Sequence, residues 1–323
     1  MAGLSDQLLV VSMGCYLVAL VAHAATYAWS LRNPAHPRPA QPRPAQLVRV
    51  GAGPKGPVVE APPVATAVWP GPVERWSGSV AATATVVAAV AQSGALIARG
   101  LAAQRVPWGN MYEFILAVTL AGVIAWLLVA KRRPELRPLG LYVTTAALIL
   151  LGIAALQVYT PAGPLVPALN STWLKIHVSA AAISSGVFLL GALTAAAYLI
   201  AARPDRGSNS LLSTLAARLP SPPELERLTF RLHAFAFPLW SFAVIAGAIW
   251  AEASWGRFWG WDPKETWAFI SWVVYAGYLH ARATASVRRS TTAWLAIVGW
   301  ATMMFNLFAV NLVISGLHSY AGT

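Results

Sequence analysis

Long apolar segments constrain the fold of this chain more than any other feature of its sequence. A helix needs about 20 apolar residues to cross a bilayer, because the lipid interior cannot satisfy open backbone groups. Such segments cover residues 8–29, 80–98, 114–130, 139–159, 177–201, 232–253, 267–281 and 293–315. The short segment at 267–281 is expected to extend into the loop before it. The sequence therefore predicts an all-α fold, a polytopic helical bundle with about eight transmembrane helices in a lipid bilayer.

The distribution of cationic residues predicts how this bundle is oriented. Only 11% of the residues are charged, whereas a soluble domain carries about a quarter. If the N-terminus lies outside, 18 of the 23 Lys and Arg residues fall in cytoplasmic segments and five in outer segments. This bias follows the positive-inside rule, so both termini are expected to be extracytoplasmic. The cations are then topology anchors, and no nucleic-acid partner is expected.

The chain divides into three predicted regions. Residues 1–30 form the first transmembrane helix, and residues 31–79 are rich in Pro, Ala and Arg without periodicity, which is typical of a flexible cytoplasmic linker. Residues 80–323 form a membrane domain with an outer loop at 250–267. Cys15 is the single cysteine of the chain, which excludes an internal disulfide and a metal site built from cysteines.

Two helix starts carry similar short signals. Ser221 is followed by Pro222 and Glu224, a pattern that predicts a capping box with proline at the first helical position. The sixth helix is therefore expected to begin well before its apolar segment. Asp262 precedes Pro263, which likewise predicts the start of a helix.

Tryptophan is concentrated around the loop before the seventh apolar segment. Six of the 15 tryptophans lie between residues 250 and 272. Trp259 and Trp261 alternate there with Gly256 and Gly260. Glycine lets the backbone approach a flat ligand closely, and indole rings offer a rigid stacking surface.

This loop suits a planar, apolar and partly charged molecule such as a porphyrin. Lys264, Arg257 or backbone N–H groups would meet the carboxylates of such a molecule. The alternative interpretation is an interfacial belt, because tryptophan favours the headgroup level of a membrane.

Histidines near the loop are candidate ligands for the iron of a porphyrin. His177 and His318 lie at the predicted outer ends of the fifth and eighth segments, on the same face as the loop. Two imidazoles can hold a haem iron from both sides. His280 falls inside the seventh segment, His23 inside the first, and His233 at the start of the sixth. Ionisable side chains at membrane depth are functional candidates, although each is also explained as an interfacial hydrogen-bonding group.

Four sequence strings together resemble a known family. They are WGNMYEF at 108–114, WGRFWGWDPKETW at 255–267, LHAR at 279–282 and SGLHSY at 315–320. The chain resembles the tryptophan-rich WWD haem-handling family over roughly residues 108–320, and within it the cytochrome c biogenesis group called CcsA, ResC or CcsB. The WGxxWxWDPKE string is the most specific part of the resemblance.

The resemblance implies a function in system II cytochrome c assembly. Proteins of this group work with a ResB-type partner as a cytochrome c synthase. Haem b, bound non-covalently, passes to the outer side and is positioned for thioether attachment to the C-x-x-C-H segment of apocytochrome c. The outer haem ligands of the group match His177 and His318, and its membrane ligand matches His280. The opposite membrane ligand is expected from the partner, with His23 and His233 as internal alternatives.

The resemblance also implies a loop that stacks on haem, with haem iron as the only metal. The loop residues are Trp255, Gly256, Trp259, Trp261, Asp262, Pro263, Lys264, Glu265 and Trp267. The implied location is the bacterial cytoplasmic (inner) membrane, with the loop on its extracytoplasmic side. The sequence shows no pair of general base and nucleophile, so catalysis would rest mainly on positioning the reactants.

Two other functions remain open from the sequence. One is a haem exporter or chaperone that hands haem to a separate protein and performs no ligation. The other is a subunit of a non-haem membrane transporter, whose tryptophans serve only as interfacial anchors.

Overall fold

A computed structural model describes residues 1–32, 47–49, 58–60, 72–164, 170–203, 215–216, 218–314 and 316–317. Its helices are α1 (Ala2–Arg32), α2 (Pro72–Ala103), α3 (Met111–Arg132), α4 (Gly140–Gln157), α5 (Thr172–Ala201), α6 (Pro222–Trp255), α7 (Pro263–Ala283), α8 (Arg289–Met304) and α9 (Val310–Leu312). A 3₁₀ helix at Pro134–Leu139 precedes α4, and a π-helical turn at Phe305–Ala309 joins α8 to α9. Inside the region predicted as a linker, the strands β1 (Leu47–Arg49) and β2 (Val58–Glu60) pair antiparallel.

The prediction of a polytopic helical membrane bundle is confirmed. Seven helical stretches within the described ranges are long and apolar enough to cross a membrane. They are Ala2–Trp29, Arg75–Ala103, Met111–Arg132, Pro134–Gln157, Thr172–Ala201, Pro222–Trp255 and Arg289–Leu312. The segment predicted at 267–281 is the helix α7, but it is less apolar because Lys264 and Glu265 begin it and Arg282 lies near its end. The side of the membrane on which each end lies stays a prediction.

The helix α5 occupies the centre of the bundle. It packs along α6 and also contacts α3 and α8, while α1 and α2 pack on each other and α1 also reaches α4. Large buried side chains such as Phe188 on α5, Trp240 on α6 and Tyr275 on α7 contribute to the core. By contrast, α1 exposes apolar side chains such as Val10 and Val21, as expected for a helix that faces lipid.

The predicted capping signals form at both helix starts. The Glu224 carboxylate accepts hydrogen bonds from the Ser221 backbone N–H and hydroxyl, at 3.2 and 2.7 Å. Asp262 caps α7 in a capping box with Glu265. Because α6 runs from Pro222 to Trp255 and the loop to α7 follows directly, the two capping boxes lie at opposite ends of the bundle.

Candidate functional site

A cavity opens at the end of the bundle where α3, α5 and α7 begin and α6 ends. Its volume is about 190 Å³. Aromatic walls come from Trp108, Phe114, Trp240, Trp250, Phe258 and Trp259. Polar lining groups come from Asn110, His177, Ser185, Lys264, Glu265, Asn306 and Asn311. Apolar walls with a few convergent polar groups are the usual form of a small-molecule site.

His177 lines this cavity from the second turn of α5. Its Nδ1 donates a hydrogen bond to the Ala243 carbonyl oxygen over 2.7 Å. Gly247 permits this approach, because a Cβ there would lie 2.7 Å from Nδ1. The Trp250 ring is nearly parallel to the imidazole, at 12° with 6.4 Å between centroids. The bond places the proton on Nδ1 and the lone pair on Nε2, the tautomer of a metal-ligating histidine whose other nitrogen is oriented by a carbonyl.

The loop between α6 and α7 presents Trp261 in a strained backbone conformation. Its φ angle is 58°, in the left-handed region that costs a non-glycine residue about 1–3 kcal/mol. One carboxylate oxygen of Glu265 accepts the N–H groups on both sides of Trp261, from Gly260 at 2.8 Å and Asp262 at 3.1 Å. The indole is 66% exposed as a result. Glu265 therefore stabilises the loop conformation that exposes the Trp261 indole.

Aromatic rings surround the exposed indole. Trp259 lies perpendicular to Trp261 at 5.8 Å, and Phe269 on α7 contacts both rings edge-on at 6.4 and 6.3 Å. Trp255 packs instead against Trp250 at 4.8 Å. The tryptophans of the loop therefore divide into those at the cavity or the surface and those that pack against the helices.

The predicted loop residues have different positions at the site. Trp259, Lys264 and Glu265 line the cavity. Gly256 ends α6 with a φ of 70°, and Pro263 begins α7. Trp267 packs on Phe305 with 4.0 Å between ring centroids.

The first turn of α7 is bonded to the last described segment of the chain. Asp262 Oδ1 accepts the backbone N–H of Leu317 at 2.8 Å. Lys264 Nζ donates to Asn311 Oδ1 at 2.7 Å, and Asn306 Nδ2 donates to the Lys264 carbonyl oxygen at 3.4 Å. Both asparagines line the cavity. The segment before residue 318 is thereby attached to the cavity end of the bundle.

His318, the predicted partner of His177, follows Leu317 and lies outside the described residues. The pairing of these two histidines on one iron therefore stays a prediction. The bonds of Asp262 and Lys264 place the preceding segment at the end of the bundle that contains His177.

Sequence reasoning missed a buried ionic cluster beside the cavity. Glu113 is fully buried and pairs with Arg99 and Arg105, each at 2.8 Å. The same carboxylate accepts the N–H of Gly109 at 2.7 Å, which anchors the turn that carries Trp108 into the cavity wall. The two arginines were interpreted as topology anchors, and Glu113, one residue before the apolar segment at 114–130, appeared only as part of the family string at 108–114.

The arginines of this cluster also bind the segment after α4. Arg99 donates to the Thr160 carbonyl oxygen, and Arg105 donates to the Gly163 carbonyl oxygen at 3.0 Å. The cluster therefore joins the α2–α3 turn to the chain that follows α4.

The other three described histidines lie away from the cavity. His280 is exposed on α7. His233 is fully buried, with Tyr278 and Tyr275 at 4.4 and 5.4 Å between ring centroids. His23 is buried at the edge of Trp126, at 5.7 Å. The structure thus brings one histidine of the described residues, His177, to the cavity.

Comparisons with known proteins identify the family of this chain. The profile of the family described as "Cytochrome C assembly protein" matches residues 108–318, a range that includes the cavity and the tryptophan loop. A relative named "Cytochrome c biogenesis protein CcsA" from Guillardia theta is 34% identical over 252 residues, covering 73% of this chain and 83% of the relative. Another of that name, from Microcystis aeruginosa, is 34% identical over 283 residues, covering 74% and 86%.

A solved structure shares the fold. The chain "Cytochrome c Heme Lyase CcmF" superimposes with a TM-score of 0.59 at 16% sequence identity, covering 95% of this chain. This protein spans 46% of that longer chain. The matched profile and the CcsA relatives establish that the chain belongs to the cytochrome c assembly protein family.

Proposed function

We propose that this multi-pass membrane protein functions in system II cytochrome c assembly, delivering haem across the membrane and positioning it for attachment to apocytochrome c. One observation carries the proposal. His177 and Trp259 line a single cavity at one end of the bundle. At the same end, Asp262 binds the backbone of Leu317, the residue before His318. Family membership supports haem as the ligand class, because cytochrome c assembly requires haem.

The lining of the cavity fits haem b as a non-covalently bound substrate. Aromatic rings provide stacking surface. His177 lines the cavity with its Nδ1 bonded to Ala243, so Nε2 is the nitrogen that would ligate the iron. Ala181 and Ser185 follow His177 on α5 as small lining residues, which leaves room for a macrocycle. Lys264 provides a cation for a haem carboxylate at the polar side of the cavity.

The reaction adds the S–H of each cysteine of the C-x-x-C-H segment across one haem vinyl C=C bond: sulfur bonds the inner vinyl carbon and the thiol hydrogen ends on the terminal vinyl carbon. The chain holds the haem in a fixed position for this reaction. His177 and His318 bind the iron from both sides, and the cavity walls contact the macrocycle. The histidine of the incoming segment replaces one of these ligands, which brings the thiols to the vinyl groups. Alignment of this kind lowers a barrier by about 7–11 kcal/mol in well-oriented reactions.

Haem reaches the outer site through a ligand at membrane depth in this proposal. His280 is exposed on α7, so a ResB-type partner chain can approach it and supply the opposite ligand. His233 is enclosed by aromatic rings, with Phe188 at 5.5 Å on one side, and His23 is packed in the bundle. These environments favour a partner ligand over an internal one. The membrane is proposed to be the bacterial cytoplasmic membrane, with the cavity on its outer side.

The experiment is co-expression of the chain with a ResB-type partner and a reporter apocytochrome c. We expect a Soret band in the purified protein, and loss of at least about 90% of attached cytochrome in His177→Ala and His318→Ala, since one axial ligand is removed. Added imidazole is expected to restore part of the attachment. Normal attachment in either variant without imidazole would contradict the ligand roles.

Omission of the partner separates the synthase from an exporter or chaperone. An export function predicts that haem still reaches the outer side and that a separate protein performs the attachment. A purified protein without a Soret band would instead favour a non-haem transporter.

A further inference from the structure

Asp262 connects two parts of the chain that are distant in sequence. Its side chain is 7% exposed. One oxygen, Oδ2, accepts the N–H of Lys264 at 3.3 Å and caps α7. The other, Oδ1, accepts the N–H of Leu317 at 2.8 Å. A helix cap needs only the first bond, so the second is an additional use of the carboxylate.

We infer that Asp262 is a positioning residue, whose carboxylate fixes the backbone at Gly316-Leu317 and thereby sets the place of the axial ligand His318. This inference rests on the proposed function. Asp262 does not touch the haem iron itself in this proposal, and it acts through the chain that carries the ligand.

Gly316 makes the contact possible. A Cβ at this position would lie 2.8 Å from Asp262 Oδ1 and 3.4 Å from the carboxylate carbon. A side chain at this position would force the segment or the carboxylate to shift. Glycine beside Leu317 is therefore explained by the close approach of an acidic side chain.

The carboxylate is itself held in place. The Asp262 N–H donates to Glu265, and Pro263 restricts the backbone at the first position of α7. A charged acceptor in such a fixed position forms a stronger hydrogen bond than a neutral one. Lys264 and Asn311 form a second connection between the same two segments. The Leu317 amide is thus tied to the helix start that also orients Trp261.

The test compares variants that act on this contact from its two sides. Asp262→Ser keeps a side chain able to cap α7 but too short to reach Leu317. Gly316→Ala keeps the carboxylate but inserts a methyl group at the contact. Ser221→Ala is the matched control, because it removes a capping box at the opposite end of the bundle.

The full-length chain is purified in detergent and titrated with haemin. Wild type is expected to give a low-spin ferric spectrum with two imidazole ligands. Asp262→Ser and Gly316→Ala are each expected to bind haemin about tenfold more weakly and to show a high-spin component. Because each change breaks the same contact, the double variant should be no weaker than the weaker single variant.

Exogenous imidazole distinguishes a displaced ligand from general damage. We expect imidazole to restore the low-spin spectrum in Asp262→Ser and Gly316→Ala, as it would in His318→Ala, and Ser221→Ala to resemble wild type. If Asp262→Ser loses its fold, Gly316→Ala carries the test. An unchanged spectrum in Gly316→Ala, or one that imidazole does not restore, would overturn the inference.

The proposed function fails in a different way. If wild type binds no haemin, or if His177→Ala and His318→Ala leave its spectrum unchanged, the haem site itself is wrong. If those variants lose the low-spin signal while both contact variants keep it, the function stands and only the role of Asp262 is refuted.

Discussion

Two histidines in this bundle share one local arrangement and differ in what surrounds them. His177 on α5 faces Gly247 on α6, and His233 on α6 faces Gly191 on α5. The separation from histidine to glycine is 14 residues on each helix (191 − 177 and 247 − 233). Each imidazole is bonded through Nδ1 to a backbone carbonyl oxygen at 2.7 Å, which belongs to Ala243 on the facing helix for His177 and to Thr229 on its own helix for His233. The two sites thus lie toward opposite ends of one antiparallel helix pair, α5 and α6.

The difference lies on the far side of each ring. His177 borders the cavity, whereas His233 is fully buried and packed on Phe188, Tyr275 and Tyr278. Contact between a histidine and a glycine of the neighbouring helix therefore indicates that the two helices approach closely. Whether the imidazole can act as a ligand depends on the space on the side of the ring that faces away from the glycine. The packing of the whole bundle determines that space.

The largest expected effect comes from removing each imidazole. His233→Ala leaves a void among aromatic rings and should lower the free energy of unfolding by about 2–4 kcal/mol. His177→Ala opens onto an existing cavity and should cost less stability while abolishing attachment of cytochrome c. Thermal unfolding in detergent and the co-expression assay measure the two effects. Equal destabilisation by both variants would remove the distinction.

A smaller effect is expected from filling the space beside each ring. Gly191→Ala forces a methyl group against the enclosed His233 imidazole and should lower the free energy of unfolding by about 1–3 kcal/mol. Gly247→Ala lets the His177 ring move toward the cavity, so unfolding should change little. The haemin spectrum should change instead, because His177 would lose its bond to Ala243. A stability loss as large in Gly247→Ala as in Gly191→Ala would contradict this.

The smallest effect is expected from the indole beside His177. Trp250→Phe keeps an aromatic ring next to the imidazole but reduces its area, and haemin affinity should fall only about two- to tenfold. Titration with haemin measures this, and Tyr278→Phe beside His233 serves as the control. A loss as complete as that of His177→Ala would mean that Trp250 has a role beyond packing.

The helices and their caps were predictable because their causes are local. A span must be long and apolar wherever it lies, and Ser221 with Glu224 or Asp262 with Pro263 acts within one turn. The segment at 267–281 shows the limit of this argument. It is a helix in the bundle although its composition alone does not qualify it as a span.

The contacts between distant segments were not predictable in the same way. Nothing in the apolar pattern relates Arg99 and Arg105 to Glu113, because ion pairing across helices depends on their register and rotation. For the same reason, the sequence left His233 as a candidate ligand, and only packing shows it enclosed. The tryptophan loop indicated a site for a planar ligand, but nothing in the sequence indicated that Trp108 lines the same cavity.

The π-helical turn at Phe305–Ala309 has a geometric consequence for the site. Residues five apart on a regular α-helix point about 140° away from each other, so Asn306 and Asn311 would lie on different sides. Bonding between residues i and i+5 brings such positions above one another, and both asparagines reach Lys264. The inserted residue therefore rotates the end of this helix so that the side-chain amides of Asn306 and Asn311 both form hydrogen bonds with Lys264.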